Sequence, residues 1–248
     1  MAKNASCLVQ KMSHYIDLDD ANVDHLEQLE KSEKNFGKNV EIYRAGDSTG
    51  DLFVVKSGWL FSYTDLPDGR RQIVKLHHPG DIVGMADLPV IHATTATMTV
   101  EDVCLCPFPK SGLDVILRDS PRLTALLLSV SLRDQVVFTD LLRAMGRMSA
   151  KERIGYLLLD LLARLRITNT SMTDTIRLPL NQSQIGDYLG LTNVYVSKTL
   201  INMEKEGYIR RNGNEVQIVR RDDLVELTDF SDRYEVMDTS WFPEAQSG

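Results

Sequence analysis

The chain has 248 residues and a formal net charge of −7, and its composition of 43% hydrophobic and 25% charged residues is that of a folded protein long enough for two domains. The acidic balance excludes indiscriminate coating of nucleic acid, because an acidic surface repels phosphate wherever no basic patch intervenes. Residues 1–10 lack the features of a secretory signal, and no window approaches the roughly 18 apolar residues of a membrane span, so we expect a cytoplasmic protein without a membrane anchor.

The N-terminal half is predicted to be a small β-structure behind one helix. Apolar residues at helical spacing predict a short amphipathic helix over residues 20–34. From Asn39 to Phe108, short apolar and β-branched runs alternate with turn signals, which is typical of a barrel or roll. Residues 59–66 and 70–76 flank Pro67-Asp68-Gly69 and predict a tight hairpin. The last strand pair is expected between Thr94 and Cys106, before Pro107-Phe108-Pro109 closes the β-rich part.

The cysteines and two neighbouring histidines carry chemistry that needs an interpretation. Cys7, Cys104 and Cys106 are too few for a disulfide framework, so we expect reduced thiols. We interpret Cys104 and Cys106 as small buried core residues, with part of a redox or metal site as the alternative. His77 and His78 precede a Pro-Gly turn and are interpreted as surface imidazoles.

From Leu113 the pattern becomes helical and indicates a dimer interface. Apolar residues follow alternating steps of three and four, and the predicted contacts with a second copy are Leu123, Leu127, Val130, Val137 and Leu141. A second apolar face, which includes Leu126, Leu132, Val136 and Leu142, allows the helix to pack on its own β-domain as well. The alternative is a helix buried inside a monomer.

Two closely spaced helix starts in the C-terminal part predict a helix-turn-helix. Ser149 and Glu152 form a capping box that opens a new domain. Further on, Asn181 caps a helix that ends at Gly190, and Thr192 caps a second helix, the recognition helix, predicted from Thr192 to Glu206.

The surface of this motif is predicted to contact DNA. The second helix leaves polar groups and Val194, an apolar group able to meet a thymine methyl, outside its apolar stripe. Residues 208–211 and 216–221, joined by the turn 212–214, predict a β-hairpin wing with cations for phosphate. The predicted DNA contacts are Ser183, Thr192, Asn193, Val194, Tyr195, Ser197, Lys198, Asn202, Arg210 and Arg211. A three-helix structural domain is the alternative.

Residues 20–227 as a whole resemble the Crp/Fnr superfamily of regulators. Three stretches carry the resemblance: residues 50–58 as a strand-and-glycine signature, 79–84 as the turn before an effector helix, and 180–209 as the DNA-binding core. The resemblance implies an α+β chain with a cyclic-nucleotide-binding-like β-roll, a long dimerisation helix and a winged helix-turn-helix. The corresponding domains are residues 1–112, 113–147 and 148–232, followed by a tail over 233–248.

The effector region departs from the pattern of the cyclic-nucleotide-binding members. Those members hold the ribose with a Glu and the cyclic phosphate with an Arg-Ser or Arg-Thr pair, whereas this chain has Met85 and Thr94-Thr95 in those places. No Lys or Arg lies between Lys75 and Lys110, and a buried phosphate without a cation keeps its desolvation cost. We therefore expect cyclic AMP and cyclic GMP not to be effectors. The predicted effector pocket is Gly84, Met85, Ala86, Asp87, Thr94 and Thr95.

The resemblance also raises cofactors and partners. Oxygen-sensing members hold an iron–sulfur cluster with four cysteines, which three thiols cannot supply, and gas-sensing members bind haem, for which His77 and His78 are the candidates. We expect neither cofactor. Double-stranded DNA, a second copy of the chain and RNA polymerase are the implied partners. The frequent Glu and Arg base readers of the family fall at Val194 and Lys198, so the bases of the operator should differ from those of other members. The operator should still be nearly palindromic, because the dimer is two-fold.

Three functions remain open at this point. The first is a sequence-specific transcription regulator, and the second is a nucleotide-sensing module that acts on a partner protein. The third is an enzyme, for which no nucleophile, base and acid converge in the sequence. Residues 234–248 show no periodic apolar pattern and are expected to be disordered or weakly docked.

Overall fold

The computed structural model describes residues 6–244, which divide into two units. Two four-stranded sheets form the centre of the first unit. This unit comprises residues 6–64, 74–132 and 236–244, and the second comprises 65–73 and 133–235. The sheets have the strand orders β1-β8-β3-β6 and β2-β7-β4-β5. The strands are β1 Lys34–Phe36, β2 Glu41–Tyr43, β3 Asp51–Ser57, β4 Leu60–Asp65, β5 Arg71–His77, β6 Ile82–Val83, β7 Ala96–Thr99 and β8 Val103–Pro109.

These strands confirm the predicted β-roll and its hairpin. The β4–β5 hairpin turns at Pro67-Asp68-Gly69 as predicted, with Leu66 N donating to Arg70 O at 2.7 Å. The predicted helix over residues 20–34 is shorter, because α2 ends at Gln28 and Lys34 already pairs with Leu105 as the first residue of β1. Sheet pairing overrides helical spacing at this point.

A helix that the sequence analysis missed, α1 (Cys7–Ser13), packs on the β-roll. Its Leu8 and Met12 are fully buried, and its Lys11 forms a buried ion pair with Asp81. The second oxygen of Asp81 accepts from the backbone N–H of His78 at 3.0 Å. Pairing is the reason that both charges tolerate burial.

The interpretation of His77 and His78 as surface side chains is wrong. Both imidazoles are buried: Nε2 of His77 lies 2.8 Å from Oγ of Ser62, and His78 packs beside the ring of Trp59. Because β5 continues through His77 with its side chain turned inward, the Pro-Gly turn begins too late to bring these rings to the surface.

Helices α3 (Asp114–Asp119) and α4 (Pro121–Arg147) follow the roll. The first turns of α4 bury Leu123, Leu126 and Leu127 in a core that they share with Leu8 and Leu26. The boundary between the two units falls inside α4, after residue 132. The helix therefore contributes residues to both units.

The second unit is a winged helix-turn-helix. Its elements are α5 (Ala150–Arg166), β9 (Thr175–Arg177), α6 (Gln182–Leu189), α7 (Asn193–Lys205), β10 (Ile209–Asn212), β11 (Glu215–Ile218) and α8 (Arg221–Thr228). The predicted capping box of Ser149 and Glu152 is present, Asn181 caps α6 as predicted, and the apolar stripe of α5 is buried. The wing strand predicted over 216–221 ends at Ile218, because Arg221 already begins α8. Strand β9, which pairs with β11, was also missed.

The C-terminal segment is packed on the protein, contrary to the prediction of disorder or weak docking. Tyr234 is buried in the second unit, where its hydroxyl meets Asp160. Phe242 is buried in the core of the first unit, and Nη1 of Arg122 donates to Pro243 O at 3.0 Å. Two isolated aromatic anchors leave no periodic signal in a sequence. Residues 245–248 of this segment, like residues 1–5 of the predicted sensor domain, lie outside the described residues.

Candidate nucleic-acid interface

The turn between α6 and α7 depends on two glycines. Gly190 ends α6 with a left-handed φ of 65°, which a residue with a Cβ adopts only with strain. A Cβ on Gly186, inside α6, would collide with the carbonyl oxygen of Leu191. Close packing of the turn against α6 therefore requires glycine at 186 as well, a requirement the sequence analysis did not recognise.

Side-chain caps and a buried stripe fix the orientation of α7. The Oγ1 of Thr192 accepts from the backbone N–H of Tyr195 at 3.2 Å, as predicted for the N-cap. Val196, Leu200 and Met203 are buried in the unit's core. The opposite side of the helix is consequently turned outward.

The predicted base-reading residues lie on that outward side or at its edge. Val194 is 59% exposed and Tyr195 is 54% exposed. Ser197 is half-buried, and the remaining predicted residues on α6 and α7 are exposed: Ser183, Thr192, Asn193, Lys198 and Asn202. Their accessibility is what a groove-reading helix requires, and their contact with DNA stays a prediction.

The two wing arginines predicted to bind phosphate have different environments. Arg210 is exposed, and its Nη1 donates to Oε1 of Gln217 across the hairpin at 3.4 Å. Arg211 is half-buried and forms an ion pair with Glu204 of α7, whose carboxylate also accepts from the backbone N–H of Arg211 at 3.1 Å. These bonds lower the pKa of Glu204. The side chain of Arg211 therefore joins the wing to α7, and its contact with phosphate stays a prediction.

A cation–aromatic stack at the base of the wing was missed. Nζ of Lys151 and the guanidinium of Arg220 both lie over the ring of Tyr208, at 4.8 and 4.7 Å from the ring centre. Lys151 also donates to Glu206 at 2.7 Å. Tyr208, an aromatic residue next to the basic hairpin, was the sequence feature that could have indicated this contact. Its partner Lys151 could not be predicted, because it is distant in sequence.

Two of the predicted effector residues of the β-roll, Asp87 and Thr94, are hydrogen-bonded to each other. The carboxylate of Asp87 accepts from the backbone N–H of Thr94 at 3.0 Å and from its hydroxyl at 2.7 Å. Lys110, which follows the cation-free stretch in sequence, donates to Thr49 Oγ1 and to the carbonyl of Asp87, both at 2.8 Å. The role of Lys110 could not be predicted from the sequence, because only strand β8 brings it to this loop.

A row of polar side chains crosses the sheet β2-β7-β4-β5. Ser62 on β4 lies 2.8 Å from His77 Nε2 on β5 and 2.9 Å from Thr97 Oγ1 on β7. Thr97 is paired in register with Tyr43 on β2, whose hydroxyl pKa is raised by burial. Each neighbouring strand thus contributes one polar group to a buried network inside the roll.

The thiols lie in settings that keep them protonated. Cys104 and Cys106 are buried, which confirms their interpretation as core residues, and none of the three cysteines is in a disulfide. Burial raises the pKa of Cys7 and Cys104, and that of Cys106 to about 12. Within residues 6–244, no group of three or more His, Cys, Asp or Glu side chains is placed to hold a metal ion.

The predicted dimer contacts on α4 need a correction. Leu123, Leu127 and Leu141 are 0%, 7% and 5% exposed within the chain itself, so their side chains have no surface left for a partner. Val130 and Val137 are half-buried. The exposed apolar residues of α4 lie on another face: Leu128, Leu132, Val136, Phe138 and Leu142. Two faces of α4 are apolar, and the sequence pattern did not show which one the β-roll covers.

Family models and relatives match both units. Residues 33–120 match the model of the cyclic nucleotide-binding domain, and residues 152–227 match that of the Crp-like helix-turn-helix domain. Together with the fold, these matches define a DNA-binding regulator with an N-terminal β-roll. The chain belongs to the Crp/Fnr family of transcription regulators. It is a regulator and not an enzyme.

Two curated relatives and one solved structure illustrate the similarity. The nitrogen fixation regulation protein FixK of Bradyrhizobium diazoefficiens is 31% identical over 83% of this chain and 85% of its own length. The transcriptional activator protein anr of Pseudomonas aeruginosa is 28% identical over 83% of this chain and 82% of its own. The structure of FixK2 from Bradyrhizobium japonicum has a TM-score of 0.71 and 27% identity, covering 79% of this chain and 96% of that one. In the described part of the chain, no helix is long and apolar enough to cross a membrane.

Proposed function

We propose that the protein is a homodimeric, sequence-specific transcription regulator that binds a nearly palindromic operator and does not respond to cyclic AMP. The observation that carries this proposal is the outward face of α7. Lys198, flanked by exposed Val194 and Asn202, lies in the same unit as the exposed wing residue Arg210, in a chain of net charge −7. A local cationic face on an acidic protein favours one docking orientation on DNA.

The dimer forms through the exposed stripe of α4. Leu128, Leu132, Gln135, Thr139 and Leu142 follow steps of four and three along the helix, which is the spacing of a two-stranded coiled-coil seam. Exposed leucines at this spacing, here Leu128, Leu132 and Leu142 with the polar Gln135 and Thr139 between them, are typical of a protein interface. A two-fold dimer presents two copies of α7 to half-sites about one helical turn, ~34 Å, apart.

The effector region supports independence from cyclic AMP. The hydroxyl and N–H of Thr94, the residue that stands where the family has its phosphate-binding Arg, already serve the buried carboxylate of Asp87. A phosphate bound there would face that negative charge. Lys110, a cation that contacts the loop, donates to Thr49 and to backbone carbonyls. Isothermal titration calorimetry with cyclic AMP and cyclic GMP should show no heat of binding, and micromolar affinity would contradict this part.

Cytoplasmic location and RNA polymerase as a second partner follow from the same proposal. A regulator of bacterial promoters works where the chromosome is. A relative at 28% identity is named a transcriptional activator, which supports contact with the polymerase by this chain as well.

Selection of binding sites tests the central claim. The full-length protein is incubated with random duplexes, and the retained sequences are read after several rounds. We expect a two-fold symmetric motif, protected over both half-sites in a footprint. An Arg118→Ala variant, which removes an exposed cation on α3, should select the same motif. Retention of random sequence without enrichment would contradict the proposal.

A further inference from the structure

The outward face of α7 contains an apolar group where a base reader is expected. The helix turns roughly 100° per residue, so Val194 lies about 160° around the axis from the buried Val196. Val194 is therefore turned almost directly away from the core, and its neighbours one and two turns on are Lys198 and Ile201, both exposed. Apolar, cationic and apolar side chains follow one another along this face.

Charged side chains are sparse on the same face. Between Thr192 and Asn202 the sequence holds no acidic residue and one cation, Lys198. The carboxylates that follow on α7 and just after it are engaged within the unit: Glu204 with Arg211, and Glu206 with Lys151. A carboxylate is the side chain that accepts from cytosine N4, so this segment has no such reader.

A valine side chain has neither a donor nor an acceptor. In the major groove of DNA, the apolar group on a base edge is the 5-methyl of thymine. We propose that Val194 contacts this methyl group in each half-site, so that operator affinity depends on one thymine methyl per half-site. This inference rests on the proposed function, because it requires α7 to enter the major groove.

The expected size of the effect follows from apolar burial. Removal of one methyl group from a contact of this kind weakens binding about fourfold. Two symmetric half-sites then give a loss of about fifteenfold. A change of this size is measurable in a competition assay.

The test replaces thymine by deoxyuridine, which lacks the methyl group and keeps the pairing. Each thymine of the selected operator is replaced in turn, in both half-sites together, and affinity is measured with the full-length protein. We expect one symmetric position at which the substitution weakens binding about fifteenfold. In Val194→Ala the same substitution should change affinity less than twofold, because the contacting side chain is gone.

Two controls keep the result specific to Val194. Val219→Ala removes another exposed valine, 49% accessible and outside α7, and should keep the full dependence on the methyl group. Thermal unfolding of Val194→Ala should match that of the parent, since the side chain is mostly in solvent.

The outcomes separate this inference from the proposed function. Equal losses in the parent and in Val194→Ala would mean that the methyl acts through duplex shape, and would overturn the inference. A selected operator that is insensitive to every deoxyuridine would overturn it as well, while leaving the regulator intact. If no operator can be selected, the proposed function fails, and this inference with it.

Discussion

The hydroxyl of Tyr234 donates a 2.8 Å hydrogen bond to the buried carboxylate of Asp160 on α5. Nη1 of Arg164 lies 3.9 Å from the second oxygen of that carboxylate. The guanidinium of Arg133 lies over the ring of Tyr234, 4.8 Å from the ring centre. The start of the C-terminal segment is therefore a structural part of the DNA-binding unit. The same segment continues to Phe242 in the core of the other unit.

Tyr234→Phe should destabilise the protein by about 1–3 kcal/mol, because it leaves a buried carboxylate oxygen without its donor. The ring and its stack with Arg133 remain, so the loss reports the hydrogen bond. Urea unfolding measures the change. Val236→Ala, in a side chain that is mostly in solvent, serves as the control and should stay within about 0.5 kcal/mol. Equal stability of Tyr234→Phe and the parent would contradict a stabilising role of the hydrogen bond between Tyr234 and Asp160.

The Asp160 carboxyl should make stability depend on pH. Burial raises its pKa, although Arg164 and the Tyr234 hydrogen bond oppose the shift. Because the folded state binds this proton more tightly than the unfolded chain, its contribution to stability is greatest below the unfolded pKa of about 3.9 and is lost as pH rises through the folded value. Acidification across that window should therefore stabilise the parent relative to Asp160→Asn.

Unfolding measured at a series of pH values checks this sign. Asp238→Asn provides a matched control of opposite sign, because hydrogen bonds from Ser240 lower the pKa of Asp238. Acidification should therefore lower the free energy of unfolding of the parent relative to that of Asp238→Asn. A pH-independent difference between the parent and Asp160→Asn would show that the carboxyl titrates alike in both states.

Lys198→Ala and Arg210→Ala should affect DNA binding in different ways. Loss of Lys198 should cost about 1–3 kcal/mol on the operator and relax preference at particular base pairs. Loss of Arg210 should weaken all sequences alike and reduce the log–log salt slope by about 1 per half-site. Arg211→Ala should in addition lower thermal stability, since the Arg211 side chain forms an ion pair with Glu204. Titrations of operator and random duplex at several salt concentrations separate these cases, and equal effects of Lys198→Ala and Arg210→Ala on both DNAs would contradict the assignment.

Leu132→Asp should dissociate the dimer while leaving the protomer folded, because its side chain is 47% exposed on the proposed seam. Leu127→Asp should unfold the first unit instead, since that side chain is in the core. Leu117→Asp, exposed on α3, should keep the dimer. Sedimentation together with circular dichroism distinguishes the three. A dimer that survives Leu132→Asp would place the interface elsewhere.

Local chemistry in the sequence was enough to predict the helix-turn-helix. Each helix end of this motif is determined by a bond or a backbone angle inside the same segment, at Asn181 with Gln184, at Gly190 and at Thr192. The predicted recognition helix therefore agrees with α7 to within one residue at each end. Partners distant in sequence could not be predicted in this way. The pairing of Lys110 with the effector loop and of Arg211 with Glu204 depends on strands that bring separate segments together.

The sequence by itself determined the succession of β-roll, long helix and winged helix-turn-helix, the caps of the DNA-binding motif and membership of its family, because periodicity, capping residues and motifs are properties of short segments. Only the tertiary structure decided which apolar face of α4 is free, that His77 and His78 are inside, and where the C-terminal segment lies. Those outcomes depend on which surfaces are already covered by other parts of the chain. Burial is set by the whole fold, and no local pattern encodes it.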